Sequence, residues 1–134
     1  MKKIISVKID GNKILFQIVK KFLFSKKEYT ESIDINKIKK IEKIYEPKYK
    51  HNNELELTGI NFYQNFVEMD EVINKEAALE VLEDKNEDIQ EIISRMSLLY
   101  QIPAYGYEGD MQELFYTLKN SLNMDNIEII ETFL

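Results

Sequence analysis

The chain has 134 residues, the size of a single domain over residues 1–134, and its 44% hydrophobic and 31% charged content excludes a disordered chain. The absence of cysteine excludes a disulfide framework and any thiolate zinc site. Charge is divided unevenly: residues 1–50 hold 14 lysines against 6 acids, and residues 51–134 hold 4 basic side chains against 18 acids, within a net charge of −6. Such asymmetry points toward a charged partner as well as toward attraction between the two halves. Arg95 is the one arginine, which counts against base-specific reading of nucleic acid, because arginine is the residue suited to bidentate contacts.

The opening Met1-Lys2-Lys3-Ile4-Ile5 is interrupted by Lys8, Asp10 and Lys13 before a signal-peptide core can form. No apolar run approaches the roughly 18 residues of a membrane span. A cytoplasmic protein without a membrane partner is expected. Ile5, Val7 and Ile9 alternate, Asp10-Gly11-Asn12 supplies turn residues, and Ile14, Phe16 and Ile18 alternate again. This predicts a β-hairpin. In the following Lys20-Lys21-Phe22-Leu23-Phe24-Ser25-Lys26-Lys27, Phe22 and Phe24 stand between lysine pairs. Two readings compete: a base-stacking, phosphate-holding surface, or a strand end whose lysines guard an edge against aggregation.

Tyr29 to Ile35 reads as a third strand. Residues 36–45 fit either a short basic helix or a strand, with Pro47 just beyond. Ser32-Ile33-Asp34-Ile35 followed by Ile38-Lys39-Lys40-Ile41-Glu42 resembles the strand–turn–strand passages of bacterial pleckstrin-homology-like domains. That resemblance spans about a dozen residues and does not extend to the acidic second half. Glu46 to Asn53 reads as a loop holding the sole histidine, His51. Leu55 and Leu57 alternate, and Ile60, Phe62 and Phe66 follow in the opposite phase beyond Thr58-Gly59, which predicts a bulge or a tight bend between two strands.

From Asp70 the period becomes helical. Val72, Ala77, Val81 and Leu82 share one face; Asn86 then caps a second helix, with Glu87 and Asp88 in its first turn. Ile89, Ile92, Ile93, Met96 and Leu99 form its buried stripe, extended by Tyr100, and Pro103 ends it. Asp110 and Glu113 open a third helix carrying Met111, Leu114, Phe115, Leu118 and Leu122. Asp125-Asn126 marks a turn and Ile127 to Phe133 a possible closing strand. The expected fold is α+β: an antiparallel sheet of four to six strands, mainly from residues 3–66, covered on one face by two to three helices from about 70–122.

No catalytic constellation emerges. His51 sits in a polar loop without a nucleophile beside it. Asp84-Lys85-Asn86-Glu87-Asp88 imitates an EF-hand opening, but Ile89 stands where glycine is needed and Arg95 where the bidentate glutamate belongs. Glycine-rich phosphate loops are absent. The expectation is a protein that is not an enzyme, with no cofactor and no metal. Two binding features remain. Glu80, Asp84, Glu87, Asp88 and Glu91 recur at near-helical intervals and could form an acidic ridge. Tyr105 and Tyr107 lie in the loop Tyr100-Gln101-Ile102-Pro103-Ala104-Tyr105-Gly106-Tyr107-Glu108-Gly109-Asp110, where tyrosines offer contact area at low entropic cost; Tyr100 is the one most suited to the core.

The favoured function is a non-catalytic binding or inhibitor protein, immunity-like or anti-defence-like in size and charge. It would present the acidic helices and the tyrosine loop to a basic protein such as a nuclease or a nucleic-acid-binding protein. The alternatives are a nucleic-acid or polyanion-binding module using Lys20, Lys21, Phe22, Phe24, Lys26 and Lys27, and a small-ligand binder or weak hydrolase at the tyrosine loop. Self-association stays open.

Overall fold

The computed structural model describes residues 1–48, 54–64 and 97–134. Strands β1 (Lys2–Asp10), β2 (Lys13–Lys21) and β3 (Lys26–Asp34) form an antiparallel sheet in the order β1-β2-β3. The β1–β2 hairpin is the predicted one. Asp10 pairs with Lys13, and Gly11, with φ of 58°, supplies the positive φ that a two-residue turn needs at its first position. Ile14, Phe16 and Ile18 are buried on one face, as their alternation requires.

The alternation expected in β1 is corrected at Ile5. A bulge between Ile4 and Ser6 resets the phase, so Ile4 is buried, opposite Ile18, while Ile5 turns outward. One extra residue in one strand moves every following side chain to the other face.

The ambiguous stretch resolves as a single 3₁₀ turn, Ile35–Lys37, opened by the Asp34 carboxylate accepting from Asn36 N at 3.0 Å, and then strand β4 (Lys40–Pro47). β4 lies in a second sheet with β5 (Leu55–Tyr63), β6 (Leu98–Ile102) and β7 (Glu128–Phe133), in the order β6-β5-β4-β7. The phase change at Gly59 marks a bulge inside one continuous strand, and there is no bend between two. Ile44 pairs with Gly59 and Tyr45 with Leu57, which leaves Thr58 as the extra residue. Leu57, Ile60 and Phe62 are thereby all buried despite their opposite phases. A Cβ at Gly59 would lie 3.2 Å from the Ile102 carbonyl oxygen, so the residue also permits the close approach of β6.

The expected single antiparallel sheet under two to three helices is therefore overturned. The described residues form seven strands in two sheets, and β4 pairs with β7 in parallel, from Lys40 opposite Glu128 to Tyr45 opposite Phe133. Among the described residues the one α-helix is α1 (Met111–Ser121). Leu99 and Tyr100, read as the end of a helical stripe, lie instead on β6, whose Tyr100 pairs with Phe62 and Ile102 with Ile60. Leu98, Tyr100 and Ile102 recur with a period of two while Met96, Leu99 and Tyr100 fit one of 3.6, and the free edge of β5 supplies the hydrogen bonds that decide between them. The helices expected between Asp70 and Met96, and His51, lie outside the described residues.

Helix α1 forms where Asp110 and the apolar stripe predict it. The Asp110 carboxylate accepts from Gln112 N at 2.9 Å and Glu113 N at 3.2 Å, and Met111, Leu114, Phe115 and Leu118 are buried. Asp110→Ala is expected to lower stability by about 1 kcal/mol, read as a fall in the urea midpoint at unchanged slope.

The two sheets meet through aromatic rings. Phe16 of β2 stacks on Tyr100 of β6, with centroids 4.1 Å apart and planes 10° apart, and meets Phe62 of β5 edge-on at 6.3 Å. Tyr100 also donates its hydroxyl proton to Glu31 of β3 at 3.1 Å, and Glu31 in turn bridges to Lys2 at 3.0 Å. Burial, then the charge of Glu31 and its hydrogen bond, push the Tyr100 phenol well above its ordinary range.

Candidate functional site

The loop from Pro103 to Asp110 is held against the edge of β1. Ile4 N donates to Gly106 O at 2.8 Å, and Glu108 N donates to Ile4 O at 2.9 Å. Gly106 closes a turn onto Pro103 O at 2.9 Å, and a Cβ there would meet the proline ring at 2.7 Å. The two tyrosines of the loop part company here. Tyr107 is half-buried against the core and its ring lies over Gly109, where a Cβ would approach the phenol oxygen at 2.8 Å. Burial, then the charges of Glu113 and Asp110, raise its phenol above the ordinary value. Tyr105 is 82% exposed and holds φ at 62°, a left-handed conformation that a non-glycine residue adopts only under constraint.

Both tyrosines border a cleft of about 600 Å³, lined also by Lys48, Glu54, Glu56 and Asp110. Its walls come from the ends of β4 and β5 on one side and the start of α1 on the other. Among the described lining residues the carboxylates outnumber the lysine, which favours a cationic occupant. The volume falls within the range of ligand and peptide sites. The residues of the expected acidic ridge, Glu80, Asp84, Glu87, Asp88 and Glu91, lie outside the described residues.

The Lys/aromatic segment divides between two strands. Lys20 and Lys21 end β2, the central strand of its sheet, whereas Lys26 and Lys27 open β3, an edge strand of that sheet among the described residues. Phe22 to Ser25 form the tight turn between β2 and β3, closed by Phe22 N donating to Ser25 O at 2.8 Å. Lys20 pairs opposite Lys27, and Lys21 opposite Lys26. The lysines thus flank the turn on both faces of the hairpin.

One cluster escapes sequence reasoning altogether. On the β5-β4-β7 sheet, Glu42 accepts hydrogen bonds from the Tyr63 hydroxyl at 2.7 Å, from Asn61 Nδ2 at 3.0 Å and from Thr132 Oγ1. Lys40 Nζ lies 5.1 Å from the centre of the Tyr63 ring. Burial raises the Glu42 carboxyl, but the hydrogen bonds from Thr132, Tyr63 and Asn61 and the charge of Lys40 outweigh it and hold the group below its ordinary value. Tyr63 is pushed up to about 12 by burial and then by its bond to Glu42. A carboxylate held ionised and a phenol held protonated exchange no proton near neutral pH, so this cluster ties strands together and offers no acid–base pair. Asn61 is only 7% exposed and its Oδ1 has no hydrogen-bond partner. Rotating the amide would turn that oxygen toward the Glu42 carboxylate, so Glu42 fixes its orientation.

Among the described residues no group of three or more His, Asp or Glu side chains is arranged to hold a metal ion. Also among them, no helix is long and apolar enough to cross a membrane. Compared with protein-family models, with curated proteins and with solved structures, the chain has no match.

Proposed function

We propose that the chain is a non-catalytic binding protein that receives a basic segment of a protein partner in the cleft beside Tyr105. The observation that carries this reading is the conformation of Tyr105: a large aromatic side chain, exposed, held at positive φ at the rim of an acidic cleft. Glycine would fit that backbone without strain, so the tyrosine costs local stability, which supports a contact role for its exposed side chain. Tyrosine brings broad contact area and a hydroxyl to an interface, and Glu56 and Asp110 supply charge complementary to lysine or arginine.

The test separates contact from stability in one substitution. Tyr105→Gly is expected to raise stability by about 1 kcal/mol, because it relieves the left-handed strain of an L-residue. The same variant is expected to weaken binding of a fluorescent Lys/Arg-rich peptide about tenfold in an anisotropy titration. Binding of the unaltered chain to that peptide should also weaken as salt rises. Equal affinity of the chain for an acidic peptide of the same length, or unchanged affinity in the variant, would remove the cleft from consideration.

A further inference from the structure

The β2–β3 turn exposes three consecutive large apolar side chains: Phe22 is 51%, Leu23 88% and Phe24 95% exposed. Scattered exposed apolar residues need no explanation, but a contiguous run at the tip of a hairpin does. These three stand outside the buried cluster that fills the space between the sheets. The tip is also firmly presented. Its strands stay paired up to Lys21 and Lys26, the turn is closed by the Phe22–Ser25 hydrogen bond, and Lys21 N donates to Met1 O at 3.0 Å on the other side.

A second observation concerns the lysines beneath the tip. Lys2, Lys20 and Lys27 stand directly opposite one another across all three strands, and Lys21 stands opposite Lys26. Like charges directly opposite in a sheet repel and destabilise it. Lys2 is bridged to Glu31 and Lys26 to Glu28, while Lys20 and Lys27 rest on aromatic rings, with Lys20 Nζ 5.7 Å from the centre of Phe22 and Lys27 Nζ 5.6 Å from that of Tyr29. A fold that keeps apposed cation pairs around an exposed apolar tip is complementary to a surface that is anionic outside and apolar beneath.

We propose that this tip is a second interaction surface, independent of the Tyr105 cleft, which docks on an anionic lipid bilayer. Phe22, Leu23 and Phe24 enter the boundary between headgroups and acyl chains, and Lys20, Lys21, Lys26 and Lys27 lie among the headgroups. Both parts are needed. Three apolar side chains alone give weak, reversible attachment, and each lysine near an anionic surface adds about fivefold in affinity. Single-stranded nucleic acid fits less well. Base-stacking proteins place aromatics along an open groove, whereas here an aliphatic residue, Leu23, occupies the middle of a convex turn. The lack of a spanning segment, on which the expectation of no membrane partner rests, does not bear on such a peripheral contact.

The chain contains no tryptophan, so Leu23→Trp places a single reporter at the tip. With vesicles of phosphatidylcholine containing one third phosphatidylserine, its emission is expected to shift to the blue and to be quenched by brominated acyl chains. Pure phosphatidylcholine vesicles should leave it unchanged. In sedimentation with the mixed vesicles, the unaltered chain is expected to bind and to be released by high salt. Replacing Phe22, Leu23 and Phe24 together by serine should reduce binding at least tenfold. Replacing Lys20, Lys21, Lys26 and Lys27 by glutamine should do the same, with the circular dichroism spectrum unchanged in both. Mixed vesicles that leave the emission unshifted, or serine and glutamine variants that sediment as the unaltered chain does, would overturn the proposal. Binding of an oligothymidylate without any binding to vesicles would overturn it in favour of a nucleic-acid surface.

Discussion

Phe16→Ala is expected to lower the stability of the fold by about 3–5 kcal/mol. Phe16 sits on the central strand of the first sheet and is fully buried. Its ring is the shared contact of two aromatics from the other sheet, Tyr100 in parallel stacking and Phe62 edge-on. Truncation removes the apolar area of one ring and opens a cavity that β-strands, fixed by their ladders, cannot close. It also exposes the stacked face of Tyr100, whose hydroxyl is tied to Glu31, so the ring cannot swing into the gap without breaking that bond. Against a total of about 5–15 kcal/mol for a domain, such a loss brings the chain close to unfolding at room temperature. Urea titration should show a much lower midpoint at unchanged slope. Phe16→Leu, which keeps most of the volume, should cost about 1.5 kcal/mol or less. Phe24→Ala is the contrasting case: the side chain is almost wholly exposed, and its removal should leave stability within about 0.5 kcal/mol.

What the sequence discloses follows from how local each signal is. The β1–β2 hairpin is legible because alternation and Asp10-Gly11-Asn12 occupy adjacent positions. Helix α1 is legible because its cap at Asp110 and its stripe from Met111 to Leu118 lie within three turns. Tyr100 is legible as a core residue but not as a strand residue, since its neighbours satisfy two periods at once. The phase change at Thr58-Gly59 signals a bulge or a bend, and only pairing with β4 decides between them, while the bulge at Ile5 is hidden because the register on β2 decides it. The parallel pairing of β7 on β4 is hidden for the same reason. So is the Glu42 cluster, whose partners lie 19, 21 and 90 positions away along the chain. The apposed lysine pairs appear only once the register of β2 on β3 is known; in the sequence alone, Lys20 to Lys27 reads equally well as an edge. At Tyr105 the composition of the loop marks the region, while the positive φ that singles out this residue has no local signature beyond the following glycine.

Glu42→Ala is expected to cost about 2–3 kcal/mol, because it leaves three donors on two strands without their common acceptor. Thr132 belongs to β7, which among the described strands pairs with β4 alone, so the loss should appear first as faster amide exchange between Glu128 and Phe133. The effect on pH dependence follows from the signs. The folded Glu42 carboxyl titrates below its ordinary 4.5. Its contribution is therefore complete above about that pH and disappears as the pH falls through the lowered folded value. Tyr63 titrates near 12 in place of 10, so its contribution is complete below pH 10 and is lost as the pH rises from 10 toward 12. Glu42→Gln keeps an acceptor for Tyr63 but removes the charge. It should cost about 1 kcal/mol at neutral pH and flatten the acid limb of a stability profile. The alkaline limb should shrink without vanishing, because burial, the first cause of the raised Tyr63 value, persists when the carboxylate is gone. Melting temperatures of the Glu42→Gln, Tyr63→Phe and double variants across pH 3 to 12 would check this. If the two single substitutions add on both limbs, the strands are not joined through a shared carboxylate; a double variant no worse than the poorer single one means that they are.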